Sequence, residues 1–220
     1  MIRAAAIILW KDLTLEFRGR ELVLPAIVFG LLIAMLYGFA FDPTQHPVRE
    51  IFPGLLWLGI FFSSFLAIGR AFGVESEASS QILLAPVDRG ALFLAKLLLN
   101  ILLTVILAAV LTPAFEVLLG VALPDDGWGF LLVLLLGIVG FAAAGTTMAA
   151  LSAHTRLREL LLPALLLPFI TPLILGAVSA MTALYSGRPA GAVGWMWMMA
   201  VFDFIFILVP LLLFEYLMEV

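Results

Sequence analysis

Apolar positions in this chain fall into long, nearly unbroken runs, and polar positions gather in short stretches between them. The runs cover residues 22–41, 51–70, 92–120, 128–153, 159–184 and 194–217. Each is close to or above the roughly 20 apolar residues that an α-helix needs to cross a bilayer at about 1.5 Å rise per residue. The pattern predicts an all-α integral membrane protein, a single domain over residues 1–220 with six transmembrane helices. Ahead of the first run, Ile2, Ala6, Leu9, Trp10, Leu13 and Phe17 recur at three- and four-residue steps, while Arg3, Lys11, Thr14 and Arg18 lie mostly on another face. That spacing predicts an N-terminal amphipathic interfacial helix over 1–21, its basic residues toward lipid headgroups. A cleaved signal peptide fits less well, because Lys11, Asp12, Glu16, Arg18 and Arg20 follow the short run Ala4–Trp10 at once.

The composition agrees. The chain is 65% apolar and 12% charged, against about 45–50% and about 25% for soluble domains. It has no cysteine, which excludes disulfides, thiolate metal sites and a thiol nucleophile. Nor is there a basic arm that would suit nucleic acid. The positions of the charges give an orientation. With the N-terminus inside, Arg3, Lys11, Arg18, Arg20, Arg70, Arg89, Lys96, Arg156 and Arg158 collect on the cytoplasmic side, and only Arg49 and Arg188 on the other. This bias predicts a multi-pass protein of a cell membrane with both termini cytoplasmic. Trp128, Trp195 and Trp197 then lie near the outer starts of spans four and six, where an aromatic belt is expected, although Trp195 and Trp197 are also candidates to face a hydrophobic ligand.

Small residues four apart (Gly30, Ala34 and Gly38; Gly59, Ser63 and Ala67; Gly176 and Ala180) predict close helix packing, and the first two sets are candidates for a dimer interface. Pro163, Pro168 and Pro172 predict a bent or split fifth span, which either lines a pathway or is a packing irregularity. Candidate chemistry within the membrane is sparse. Asp203 sits about 14 Å along span six, near the midplane. A charge there is costly, so it is either functional or a protonated group bonded to a hydroxyl. Asn100 and Thr104 are one helical turn apart and expected to hydrogen-bond between helices. Glu116 can reach the outer interface. His46 and His154 have no second ligand in sequence reach, so no metal site is expected. No Ser-His-Asp set, phosphate-binding glycine loop or catalytic carboxylate pair is found, so the chain reads as non-catalytic.

The longest polar interruption is the stretch 71–91, which a simple turn would not require. It is expected to be a coupling loop, a docking element for a cytoplasmic partner. Around it the sequence runs Phe52-Pro-Gly-Leu-Leu-Trp57, Ser63-Ser64, Arg70, Glu75-Ser-Glu77, Leu83-Leu-Ala-Pro86 and Leu94-Ala-Lys96, ending at Asn100. Together these residues resemble the haem exporter protein B family, CcmB, whose pattern is P-G-x-x-W, S-S, an arginine with an acidic loop, L-L-x-x-P and L-x-K. Here the leucines stand one residue closer to Pro86, and Ala78-Ser-Ser-Gln81 replaces a glycine and further acidic residues common in the family. The resemblance extends over essentially the whole chain, with its specific motifs in 52–100.

The resemblance implies an ABC-2-type membrane subunit of the cytochrome c maturation system in the bacterial inner membrane. It would work with a CcmA-like ATPase, CcmC- and CcmD-like membrane proteins and a CcmE-like haem chaperone, as a homodimer on two ATPase copies or as a member of a larger complex. Haem would be the transported or handled ligand, none of it bound covalently, and ATP would sit on the partner subunit. Residues 73–90 are then expected to form a short helix along the membrane, kinked or ended by Pro86. Glu75, Glu77 and Arg89, with Arg156 and Arg158 of the next inner loop, would meet charged groups of the ATPase. Ile82, Leu83 and Leu84 would fill an apolar groove. An ABC-2 permease for a drug, lipid or polysaccharide, or a stand-alone carrier, remains the alternative.

Overall fold

The computed structural model describes residues 2–19, 22–40, 48–82, 89–152 and 158–217, with the backbone alone at 69–82, 89, 152, 158–165 and 213–217. Among the described residues the regular structure is helical throughout: α1 (Ile2–Gly19), α2 (Val23–Ala40), α3 (Val48–Ile82), α4 (Arg89–Leu119), α5 (Gly127–Ser152), α6 (Arg158–Tyr185) and α7 (Pro189–Leu217). Six of these, α2 to α7, are long and apolar enough to span a membrane. Helices suit this sequence because lipid offers backbone groups no hydrogen-bond partners, so each span must satisfy its own.

The two described turns at one end of the bundle show how local sequence ends and restarts the helices. Gly120 takes φ 65° after α4, and the Val121 N–H donates to the Glu116 carbonyl at 3.1 Å. Gly187 takes φ 67° after α6, and the Arg188 N–H donates to the Ala183 carbonyl at 2.9 Å. Both are glycine-capped helix ends whose last carbonyls are satisfied by a residue just beyond the cap. The next helix then begins on a suitable residue. Asp126 caps α5, its Oδ1 accepting from the Gly129 N–H at 2.9 Å. Pro189 opens α7, where its missing N–H costs nothing.

The spans pack as two groups of three. Helices α2, α3 and α4 contact one another, as do α5, α6 and α7; α3 and α4 join the groups through α5, α6 and α7. The central helices α3 and α5 each have 67% of their spanning window buried, whereas α2 has 17% and α7 22%, so α2 and α7 present most of their surface outward. The small-residue faces are used inside the chain. Gly30 lies against Leu111 and Ser63, Gly38 against Leu118, Gly59 against Phe115 and Gly176 against Met198 and Met199. A Cβ at Gly30 would lie 2.6 Å from Leu111 and Ser63, so these faces bring α2, α3 and α4 together and are covered before any second copy could use them.

Two expectations change. Helix α6 runs as one continuous helix through Pro163, Pro168 and Pro172, so of the bent or split alternatives the split is overturned. And α3 does not stop where its apolar run stops. Residues 71–82, expected to contribute to a separate short helix over 73–90, form the last three turns of α3. The reason is local: after Gly73 this stretch has no residue that breaks a helix until Pro86. A helix of 35 residues is about 52 Å long, far more than the roughly 30 Å of hydrocarbon in a bilayer. Its polar C-terminal part therefore projects past the apolar window Val48–Ile68.

Candidate functional site

Among the described motif residues, Phe52, Trp57, Ser63, Ser64, Lys96 and Asn100 are buried within the protein. Trp57 is fully buried, stacked on Phe61 with ring centroids 5.0 Å apart, and lies over Gly137 of α5. Phe61 continues the contact to Phe141, also at 5.0 Å. Ser63 and Ser64 are completely buried, and neither hydroxyl has a hydrogen-bond partner among the described residues. The tryptophan and serines of the motif thus form the seam where α3 meets α2 and α5. They do not line an exposed surface.

Between α4 and α5, Asn100 of α4 donates from Nδ2 to Thr146 Oγ1 of α5 at 2.8 Å. Both residues are fully buried. The expected interhelical bond of Asn100 is therefore present, and its partner is supplied by α5. Thr104, one turn on, is buried as well. Asn100 Oδ1 has no partner among the described residues, so the polar group is half satisfied, which is uncommon for a group this deep.

Asp203 is 6% exposed, in the middle of α7. Its Oδ1 packs against Gly140 of α5, at the place where any side chain on residue 140 would project. That oxygen has no hydrogen-bond partner among the described residues. Neighbouring Phe202 stacks on Phe206 at 4.3 Å, and Phe206 meets Phe169 of α6 edge-on at 6.2 Å. A carboxyl group is thus enclosed by three apolar helices, admitted by a glycine.

At the turn end of the bundle Tyr185 lies between Phe52, at 5.3 Å, and Phe130, at 6.3 Å. Trp195 and Trp197, the candidate ligand-facing aromatics, are 40% and 69% exposed on the outside of α7, and Trp128 is 84% exposed on α5. This outward placement suits a lipid–water boundary, which accommodates both apolar rings and N–H groups, and it equally leaves Trp195 and Trp197 open to a hydrophobic ligand. The tryptophan enclosed by protein is Trp57.

The opposite end carries an ion pair that the sequence reading did not single out. Lys96 Nζ of α4 lies 2.8 Å from Asp12 Oδ2 of α1, with side-chain exposures of 4% and 9%. Glu16 accepts from the backbone N–H groups of Leu22, at 3.1 and 3.2 Å, and Val23, at 2.8 Å. The lysine of the L-x-K motif thus has a structural partner. The signal was available as the two acids at i and i+4 on the buried side of α1.

Among the docking candidates, Glu75, Glu77 and Ile82 fall on the projecting part of α3, Arg89 is the first residue of α4, and Arg158 the first of α6. Only their backbones are described. Leu83, Leu84 and Arg156 lie outside the described residues, as do His46 and His154.

The fold and this set of buried contacts define a multi-pass, all-α membrane protein with a helical polar extension at one end. Residues 3–214 match the family described as CcmB protein. The chain is 33% identical over 173 residues to heme exporter protein B of Rhodobacter capsulatus, covering 77% of this chain and 79% of that one. It is 30% identical over 194 residues to heme exporter protein B of Pseudomonas aeruginosa, covering 86% of each. The chain belongs to the CcmB family.

Proposed function

We propose that this chain is the membrane subunit of a haem-exporting ABC complex in c-type cytochrome biogenesis. It couples ATP hydrolysis on a separate CcmA-like cytoplasmic ATPase to haem delivery, or to release of a haem-loaded CcmE-like chaperone, on the periplasmic side. The observation that carries the reading is membership of the CcmB family over residues 3–214, where the related proteins are named heme exporters. The same family argues against a drug, lipid or polysaccharide permease. The few ionisable groups within the spans argue against a carrier that draws energy from an ion gradient.

In this reading the protein lies in the bacterial inner membrane with both termini cytoplasmic, as the nine-to-two distribution of basic residues favours. Helix α1 lies at the cytoplasmic surface, with Ile2, Ile7, Trp10 and Phe17 at least 68% exposed and so available to lipid. The end of α3 and the start of α4, carrying Glu75, Glu77, Ile82 and Arg89, are the ATPase contact together with Leu83 and Leu84 of the stretch that joins them, and Arg156 and Arg158 frame it. CcmC- and CcmD-like proteins complete the assembly, with a second copy of this chain. Asp203 and Asn100 are the intramembrane polar groups assigned a working role, since a buried carboxyl with an unpartnered oxygen would otherwise be a net cost.

Purification in mild detergent tests this. The chain is expected to carry with it an ATPase and the membrane proteins of cytochrome c maturation. Recovery of the chain alone, or with an ATPase that supports another exporter, would remove the proposal.

A further inference from the structure

Ala5, Asp12 and Glu16 recur along one stripe of α1, with Leu9 between them. Each meets a different part of the membrane body. Ala5 is 2% exposed and packs on Ala91 and Ala95 of α4, both fully buried, with Ile8, Leu9 and Leu94 around them. Three alanines at a contact let the helix backbones approach closely. One step along the stripe, Asp12 holds Lys96 of α4 at 2.8 Å. One turn further, Glu16 accepts the N–H groups of Leu22 and Val23 at the start of α2. Those N–H groups have no partner within α2, so the carboxylate satisfies them and sits favourably at the positive end of the helix dipole. The surface helix is therefore fastened at two places, to α4 and to α2.

Helix α4 begins at Arg89, immediately after residues 83–88. Lys96 lies seven residues in, about 10 Å up the helix. A displacement applied where α3 hands over to α4 reaches Lys96 within two turns, and through Asp12 and Glu16 it reaches the start of α2. A surface anchor alone would need only the apolar face of α1. It would not need a nearly buried ion pair, because such pairs are expensive to desolvate and gain little net stability. We propose that Asp12 and Lys96 are positioning residues for the coupling step, with Glu16 as their extension. The pair makes α1 and the base of α4 one rigid body, so that ATPase movement at the start of α4 is transmitted to α2. This rests on the proposed ATPase-driven function.

The test uses the complex purified with its ATPase, and cells in which this chain is the sole copy. Asp12→Lys and Lys96→Asp are each expected to lower c-type cytochrome yield severalfold while ATP hydrolysis continues. The double reversal should restore the yield. Lys96→Met, which keeps the buried stem, should give the same split between hydrolysis and yield if a reversal prevents insertion. Because the chain has no cysteine, Ala5→Cys with Ala91→Cys reports the contact directly. The cross-link should form readily and leave the yield unchanged, since the two helices move together. Unchanged yield in Lys96→Met and both reversals, equal loss of hydrolysis and yield, or inactivation by the cross-link would each overturn the proposal. If cells lacking the chain make c-type cytochromes as well as wild-type cells do, the functional reading fails instead, and a cross-link that still forms would separate the two cases.

Discussion

Gly137 is where α5 receives the Trp57 ring of α3, and a single methyl group there tests the central packing. A Cβ on residue 137 would lie 2.8 Å from Trp57 Cζ3, 2.9 Å from Cζ2 and closer still to Cη2. Carbon atoms in good contact sit about 3.5–4.0 Å apart. The ring has little room to retreat, because Trp57 is fully buried and stacked on Phe61, which itself meets Phe141. Overpacking of this kind costs about 1–3 kcal/mol. Against it stands the helix preference for alanine over glycine, about 1 kcal/mol. Gly137→Ala should therefore be neutral to about 2 kcal/mol destabilising. Gly54→Ala in α3 supplies the reference, since a Cβ there would meet nothing within 4 Å and should show the propensity gain alone. For a chain of this size each kcal/mol moves a melting midpoint by about 2–4 °C. Thermal unfolding of both variants in mild detergent should thus place Gly137→Ala below Gly54→Ala by several degrees, and Trp57→Phe combined with Gly137→Ala should recover part of the gap. Equal midpoints for the two alanine variants would refute the close approach of α3 and α5.

Other consequences follow from the buried polar groups and the polar extension. Thr146→Val removes the acceptor for Asn100 and should lower stability by about 0.6–2 kcal/mol, the range for such bonds between membrane helices, read as an earlier melt without loss of insertion. Asp203→Asn keeps the shape that fits against Gly140, so expression should hold while c-type cytochrome yield falls; wild-type yield would remove the working role of that carboxyl. Reversing the charges of Glu75 and Glu77 to lysine should reduce co-purification of the ATPase with insertion unchanged, and unaltered co-purification would exclude those two residues from the contact.

Much of the fold could be read from hydrophobicity alone, because a bilayer imposes one length and one secondary structure on any apolar run of sufficient extent. The six spans follow from that constraint. What the runs could not convey is which face of each helix turns inward. Gly30, Ser63 and Gly59 were legible as small residues, yet only the packing shows that they draw α2, α3 and α4 of one chain together. Trp57, Ser63 and Ser64 were legible as a motif, and the structure adds that all three are buried between helices. Trp195 and Trp197 have the opposite outcome, exposed on the outside of α7. The Asp12–Lys96 pair was hidden because its members are 84 positions apart. Pro86 drew attention as a helix stop, while the helix-compatible stretch before it, 74–82, belongs to the span that precedes it.

The central claim, that this chain serves haem export for c-type cytochromes, is tested most directly by haem staining of membrane and periplasmic proteins separated under denaturing conditions. The comparison is between cells lacking the chain and the same cells supplied with it. The account predicts that covalent haem disappears from c-type cytochromes in its absence and returns with the chain, while non-covalently held b-type haem, measured by difference spectra, stays constant. Normal staining of c-type cytochromes without the chain would contradict it.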